Sequence, residues 1–357
     1  MGILETATNW IRFVAGATQA QLPSHGSDLS VDQCDRIPFI RKGYRHANTV
    51  SESILSCFTL SNEAANIWSH GVSSLVYIGL LCESLREACG GESGQHVHLI
   101  REQYVPLLLQ MFGVWVCVTC SCLAHIFGCV SRWHCRAMFI LDYFGINFST
   151  TASALALYAY TRPMDPGTGN FATFSMRAFF SIALASHLSV FTMQCCMNFV
   201  FRPAEHIKVI VVAAFTASFS VNALPLLSRY LSGETQPSDL YHCLHLACSA
   251  LGGLCLATHL PERLAPDCFY VLHSHSLMHI GTVVGAYYQG LALQLDMPRW
   301  RELPSRPSLA NMACVMAVYT VSAGLLGYWI AYGKLKTVDR GDQDRTTFKT
   351  ASAKKIR

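Results

Sequence analysis

Long apolar stretches alternate with short polar ones along most of the chain. About twenty consecutive apolar residues are enough for a helix to cross about 30 Å of hydrocarbon. Eight stretches approach or exceed that length: residues 64–85, 104–128, 137–160, 172–198, 208–231, 239–260, 269–293 and 309–333. The pattern predicts an all-α, polytopic transmembrane bundle, in which seven helices form a core and an eighth span follows near the C-terminus.

Composition agrees with this pattern. Of the 357 residues, 52% are hydrophobic and 13% are charged, whereas roughly a quarter of the residues in soluble domains are charged. The formal charge of +4 is spread over short loops, so we expect no nucleic-acid partner. No small-residue cleavage site precedes the first stretch, and we therefore expect no signal peptide.

Lys and Arg residues beside the apolar stretches predict the orientation. They cluster before the first stretch, after the second and fourth stretches, and in the C-terminal tail, whereas the opposing loops are close to neutral. Arg299, Arg301 and Arg306, between the seventh and eighth stretches, are the main exception. With eight spans, the pattern predicts both termini in the cytosol and a multi-pass protein of the cell membrane.

These boundaries divide the chain into four parts. We expect a cytosolic N-terminal segment at residues 1–60 and a seven-helix membrane core at 61–295. A loop and the eighth helix would occupy residues 296–333, and a basic cytosolic tail would occupy 334–357. The core would contain the candidate site.

Three histidines stand close together in VLHSHSLMH, at the start of the seventh stretch. In hydrocarbon, each imidazole needs a hydrogen-bond partner, a water-filled cavity or a metal. His275 and His279 are four residues apart and share one helix face. His273 points elsewhere, so we expect it to snorkel or to lie in a loop, and its replacement to be nearly silent.

The predicted orientation brings His125 on the second stretch and Asp142 on the third to the same depth as His275 and His279. A zinc held by the three histidines would keep its fourth position open for water, as in catalytic zinc sites. Asp142 would then orient that water or act as its base. The alternative is that the histidines are hydrogen-bonded packing side chains, and the pattern alone leaves both possibilities open.

A second polar cluster, formed by Glu63, Asn66 and His70 in NEAANIWSH, stands at the start of the first stretch. Asn62 or Ser61 could cap that helix, and the helix dipole would favour Glu63 there. We interpret the cluster as structural, with roles in capping and in hydrogen bonds between helices.

Other intramembrane histidines have no visible companions. His187, His242 and His245 lie within other stretches, and we expect them to be packing side chains. HLPERLAP, residues 259–266, contains two prolines and breaks the chain between the sixth and seventh stretches. We interpret it as a short connection between helices.

Four blocks of sequence stand out: GYRHANTVSESILSCFTLSNEAANIWSH, SCLAHIF, LDYFGIN and HLPERLAPDCFYVLHSHSLMH. Together they resemble the progestin and adipoQ receptor family. They stand in the family's order and span roughly residues 36–295. GYRH, HLPERLAP and HSHSLMH, together with the eighth span, are most similar to the membrane progestin receptor branch.

The resemblance implies zinc as the cofactor. By motif, its ligands are His125, His275 and His279, with Ser121 and Asp142 beside the bound water. It also implies two functions of different classes. The first is a plasma-membrane progestin receptor that mediates rapid, non-genomic signalling through partners on its cytosolic face, which could include a G protein. The second is a zinc-dependent intramembrane amidase that acts on a lipid such as ceramide, with Ser121 and Asp142 as catalytic residues.

Two further readings of the same residues remain. The zinc site could serve only to hold three helices together. A serine mechanism through Ser121, His125 and Asp142 is also conceivable, but it leaves His275 and His279 unexplained.

Overall fold

The computed structural model describes residues 37–90 except positions 46 and 48, together with 100–164, 175–200, 205–304 and 306–354. Short 3₁₀ turns aside, these residues form nine α-helices and no strand. The helices are α1 (Val50–Leu55), α2 (Ala64–Cys89), α3 (Val105–Phe127), α4 (Arg132–Thr161), α5 (Met176–Val200), α6 (Glu205–Leu231), α7 (Asp239–Thr258), α8 (Ser274–Asp296) and α9 (Leu309–Lys354).

The eight long helices, α2 to α9, follow the eight predicted stretches in order, so the prediction of an all-α membrane bundle is confirmed. Within the described residues, four stretches are long and apolar enough to cross a membrane by length and composition alone. They are Glu102–Phe127, Met176–Asn198, Asp239–Thr258 and Leu309–Gly333. The number of helices that cross the membrane stays a prediction.

Small residues let neighbouring helices approach closely, as in other membrane bundles. A Cβ atom at Gly145 of α4 would lie 2.9 Å from the Cys120 Cβ of α3. A Cβ atom at Gly281 of α8 would lie 2.8 Å from the Cys248 carbonyl oxygen of α7. Side chains at these two glycines would separate the helix pairs, and α3 and α8 carry the candidate ligands.

An aromatic core joins α4, α5 and α9. Tyr158 stacks on Phe179 with 5.1 Å between ring centroids, and the Tyr319 hydroxyl of α9 donates to the Phe144 carbonyl over 3.1 Å. The eighth long helix therefore packs on α4 and α5, and the described residues place it away from the predicted histidine ligands, which lie on α3 and α8.

The N-terminal segment packs against the connection between α7 and α8. Gly43 has φ of +77°, and a Cβ atom there would lie 2.4 Å from the Tyr270 ring. The Gly43 carbonyl accepts from the Asn62 amide over 2.8 Å, and the Asp267 amide donates to the Phe39 carbonyl over 3.0 Å. We call this end of the bundle, where α3 ends and α8 begins, the histidine end. The opposite end is the far end.

A buried ionic cluster fastens the far end. Arg229 of α6 donates to Asp296 of α8 over 3.0 Å, and both side chains are fully buried. Ser238 donates to the same carboxylate over 2.6 Å, and the His242 Nε2 atom lies 2.8 Å from its other oxygen. His242 is thus a buried packing histidine, and the sequence pattern did not reveal its companion, the Asp296 carboxylate.

Arg299 belongs to a neighbouring cluster at the far end. Its guanidinium donates to the Glu234 carboxylate over 2.7 Å and to the Tyr160 carbonyl over 2.9 Å, and the side chain is buried. A buried arginine paired with a glutamate carries little net charge. The structure thus accounts for Arg299, whereas Arg301 and Arg306 are exposed and remain exceptions to the charge pattern.

We predict eight spans with both termini in the cytosol. An N-glycosylation acceptor placed in the tail after residue 334 should stay unmodified, whereas one placed in the loop 86–103 should be glycosylated. The native acceptor pattern at Asn147 should also stay unmodified, because that side chain is buried against Gln194 at 2.7 Å. Gel mobility with and without a glycosidase measures the modification. Efficient modification of the tail would favour seven spans.

Candidate metal centre

The first turns of α8 carry two of the three predicted ligands. His275 and His279 lie one turn apart, and their Nε2 atoms are 2.9 Å from each other. Glu262 holds the start of this helix, since its fully buried carboxylate accepts from the Ser274 amide over 2.7 Å. A carboxylate at a helix N-terminus also interacts favourably with the helix dipole.

His125 reaches the same place from the last turns of α3. Its ring centroid lies 5.4 Å from that of His275 and 4.9 Å from that of His279. One ligand atom from each of the three side chains lies within 4.8 Å of the others. The structure therefore brings together the three histidines that the sequence singled out.

The donor set fits a zinc ion. Two nitrogens bound to one tetrahedral zinc at about 2.0–2.1 Å are about 3.4 Å apart. The Nε2 atoms of His275 and His279 are 2.9 Å apart, and the ligand atoms of all three histidines lie within 4.8 Å of one another. The value expected for zinc lies between these two distances. Three neutral imidazoles are a donor set of catalytic zinc sites, and they leave the fourth position open.

Glu63 fixes the orientation of the His125 ring. The carboxylate lies 2.7 Å from the Nδ1 atom of His125, so Nε2 is the nitrogen with which this ring would bind an ion. The side-chain amides of Asn62 and Asn66 donate to the two oxygens of this carboxylate over 3.0 and 2.9 Å. Ser276 in turn donates to Asn66 over 2.7 Å, so the network runs from α2 to α8. Such partners of a ligand histidine set its tautomer and its basicity.

This network changes the interpretation of the second polar cluster. Hydrogen bonding between helices is present, but Glu63 occupies the N-cap position of α2 and makes no side-chain cap bond. The Asn62 side chain binds the Glu63 carboxylate, and Ser61 accepts from the Glu63 amide over 3.3 Å. Asn62 therefore does not cap α2, because its side chain binds the Glu63 carboxylate.

His70 and His273 both lie near the candidate ligands. The His70 ring stacks on His279 with 4.0 Å between centroids and 28° between planes. His273 is fully buried at the N-cap of α8, and its Nε2 atom lies 2.8 Å from the Asn62 carbonyl oxygen. Of the two alternatives expected for His273, the loop is confirmed and snorkelling is wrong, because the residue precedes α8 and is fully buried. Its replacement would remove a buried contact.

Asp142 and Ser121 are the two residues that the family resemblance places beside the zinc-bound water. Both side chains are buried, on α4 and α3. The Asp142 carboxyl is close enough to Cys117 and Cys120 to interact electrostatically with both thiols, and these cysteines lie next to Ser121 along α3. Asp142 therefore faces the α3 segment that leads to His125.

Arg45 holds the backbone of the third ligand. Its buried guanidinium donates to the carbonyls of His125, over 2.7 Å, and of Ile126 at the end of α3. A cation beside these carbonyls interacts favourably with the helix C-terminus. Arg45 belongs to the basic cluster before the first apolar stretch, and Glu262 belongs to the HLPERLAP connection, so neither was predicted to support the site. Both are ionisable residues next to an apolar stretch, and that position was the signal that could have identified them as supports of the site.

Comparison with known proteins gives the family. A family model described as haemolysin-III related matches residues 58–290. The chain is 30% identical over 314 residues to membrane progestin receptor delta of Homo sapiens, covering 84% of this chain and 88% of that protein. It is 28% identical over 313 residues to membrane progestin receptor gamma-A of Danio rerio, covering 80% and 87%. The chain therefore belongs to the haemolysin-III-related family, the progestin and adipoQ receptor family, alongside its membrane progestin receptors.

Proposed function

We propose that this membrane receptor binds a progestin-like steroid at the plasma membrane, mediates rapid non-genomic signalling and holds a zinc ion on His125, His275 and His279. The observation that supports the steroid is the similarity, over most of the chain, to proteins named membrane progestin receptors. The apolar, aromatic-rich bundle is also a suitable environment for a steroid. A G protein on the cytosolic face is a candidate partner.

The support for zinc is the convergence of three imidazoles from two helices within 4.8 Å. Each ligand also has its own support: Glu63 orients His125, Arg45 holds its backbone, and Glu262 anchors the helix of His275 and His279. This degree of fixation is what a preformed metal site requires.

The second candidate function is a zinc-dependent lipid amidase of the ceramidase type. When bound, zinc would polarise an amide carbonyl and activate water. Asp142 and Ser121 would then be the catalytic residues: both are buried, Ser121 one turn before His125 on α3 and Asp142 on α4. Asp142 would accept a proton from the attacking water and return it to the amine nitrogen as the amide C–N bond breaks. Ser121 would donate a hydrogen bond to the substrate.

We expect His125→Ala, His275→Ala and His279→Ala each to lose bound zinc and to lower the thermal stability at the same time. Removal of one ligand leaves two, which are too few for a stable structural or catalytic zinc. Metal analysis of the purified variants and their melting temperatures in detergent are the two measurements. Full occupancy in either α8 variant would contradict the assignment of zinc.

Two controls separate metal loss from general destabilisation. His187→Ala removes a buried histidine of α5, 3.0 Å from the Thr151 hydroxyl, and should lower stability without loss of zinc. Asp142→Asn should keep the zinc and impair only hydrolysis. His273→Ala should also keep the zinc, with a lower melting temperature because its contact with Asn62 is lost.

Glu63→Gln should weaken zinc binding by about 10–100-fold, the usual effect of removing the partner of a ligand histidine. A glutamine can still contact the His125 ring, but it brings no negative charge to it. Titration of the metal-free protein with zinc against a competing chelator gives the affinity. Glu52→Gln, at an exposed position on α1, is the matched control and should bind zinc as the unaltered protein does. Equal zinc affinities in the two variants would contradict a role for Glu63 in zinc binding.

Labelled progesterone should bind saturably to membranes that contain the protein, and unlabelled progesterone should displace it. If progesterone only partitions into the membranes without saturation, the proposal that the protein binds a steroid is contradicted. Ceramide turnover by the purified protein, before and after chelation of zinc, tests the second candidate. Turnover that stops on chelation, combined with non-saturable steroid partitioning, would favour the amidase.

A further inference from the structure

The short helix α1 has a polar buried side and an apolar exposed side. Ser53 is fully buried, and its hydroxyl donates to the Ile126 carbonyl and lies 3.3 Å from the Cys129 Sγ atom. Ile54 and Leu55 are exposed, Leu55 by 70%. A helix on a water-facing surface would show the reverse arrangement.

The turn after α1 continues the apolar surface. Phe58 is 74% exposed, and its ring packs edge-on against Trp68 with 5.5 Å between centroids. The Trp68 indole donates to the Cys57 carbonyl over 2.9 Å. The turn is therefore attached to the side of α2, and its aromatic ring is held outwards.

Trp68 also begins an exposed apolar row on α2. Val72, Leu75 and Val76 follow it, and Leu75 is 74% exposed. In a membrane-embedded bundle, such a row is the surface that lipid covers. The apolar surface of α1 and of the turn is thus continuous with a lipid-facing side of the bundle.

We propose that residues 50–60, the interfacial segment, lie in the lipid leaflet at the histidine end, with Leu55 and Phe58 among the acyl chains. Segments of this kind place their apolar side chains at the boundary between headgroups and acyl chains, where aromatic side chains are also enriched. Ser51, four residues before Leu55, lies on this same exposed side, and Glu52 lies at its edge. The partner of this surface is lipid.

The interfacial segment fixes the depth of the candidate metal centre. Ser53 bonds to the carbonyl of Ile126, the residue that follows His125. The three histidines therefore lie close to the boundary that the segment occupies, at the depth of the polar part of a membrane lipid. This inference does not depend on zinc or on a steroid ligand.

The test uses the full-length protein in phosphatidylcholine vesicles. A small environment-sensitive fluorescent amino acid is introduced by stop-codon suppression at Leu55 or at Phe58. The control position is Arg263, which is exposed in the connection between α7 and α8 at the same end of the bundle. Phosphatidylcholine with brominated acyl chains quenches from within the membrane, and iodide quenches from the water. We expect blue-shifted emission and quenching by the brominated lipid at Leu55 and Phe58, and quenching by iodide at Arg263.

Two results would overturn the inference. Quenching of Leu55 and Phe58 by iodide would place the segment in water. Protection from both quenchers would mean that protein covers the surface, either a second copy or another part of this chain. Leu55 is 70% exposed, so a label there disturbs few contacts, whereas a label at Phe58 replaces the ring that packs against Trp68. If one labelled variant does not fold, the other position decides.

Discussion

The bond between the Glu63 carboxylate and the His125 ring is the interaction on which the candidate site depends. Hydrocarbon offers no partner to a buried polar group, so each such group must find one within the protein. Glu63 finds three, in Asn62, Asn66 and His125. A buried carboxylate satisfied in this way fixes the histidine ring that it contacts. It also ties α2 to α3, and through Ser276 it ties α2 to α8.

The N-terminal segment extends the same principle to the histidine end. Arg45 satisfies carbonyls that the end of α3 leaves without helical partners, and the Asn62 carbonyl accepts from buried His273 at the start of α8. Each contact joins the segment before α2 to a helix that carries a candidate ligand. The segment is therefore part of the site's support, although it precedes the first long helix.

The sequence predicted the helices well because apolar length and helical spacing are local properties. It also predicted that His125, His275 and His279 meet, since depth follows from topology and the i, i+4 spacing defines one face. It did not predict the partner of Glu63, because a bond between residues 63 and 125 depends on how α2 packs on α3. For the same reason, the burial of His273 and the pairing of His242 with Asp296 could not be read from local pattern.

Helix α8 is held at both ends by buried polar contacts. At the histidine end, Glu262 binds its first turn, and at the far end Asp296 binds Arg229, Ser238 and His242. Buried contacts of this kind exchange between discrete arrangements and do not stretch continuously, because an unpaired group in the bundle is costly. A receptor needs two such arrangements, whereas a hydrolase needs one that stays fixed. A ligand that acts through α8 must therefore give Asp296 new partners if it moves this end of the helix, because separation from Arg229 would leave the buried carboxylate without its arginine.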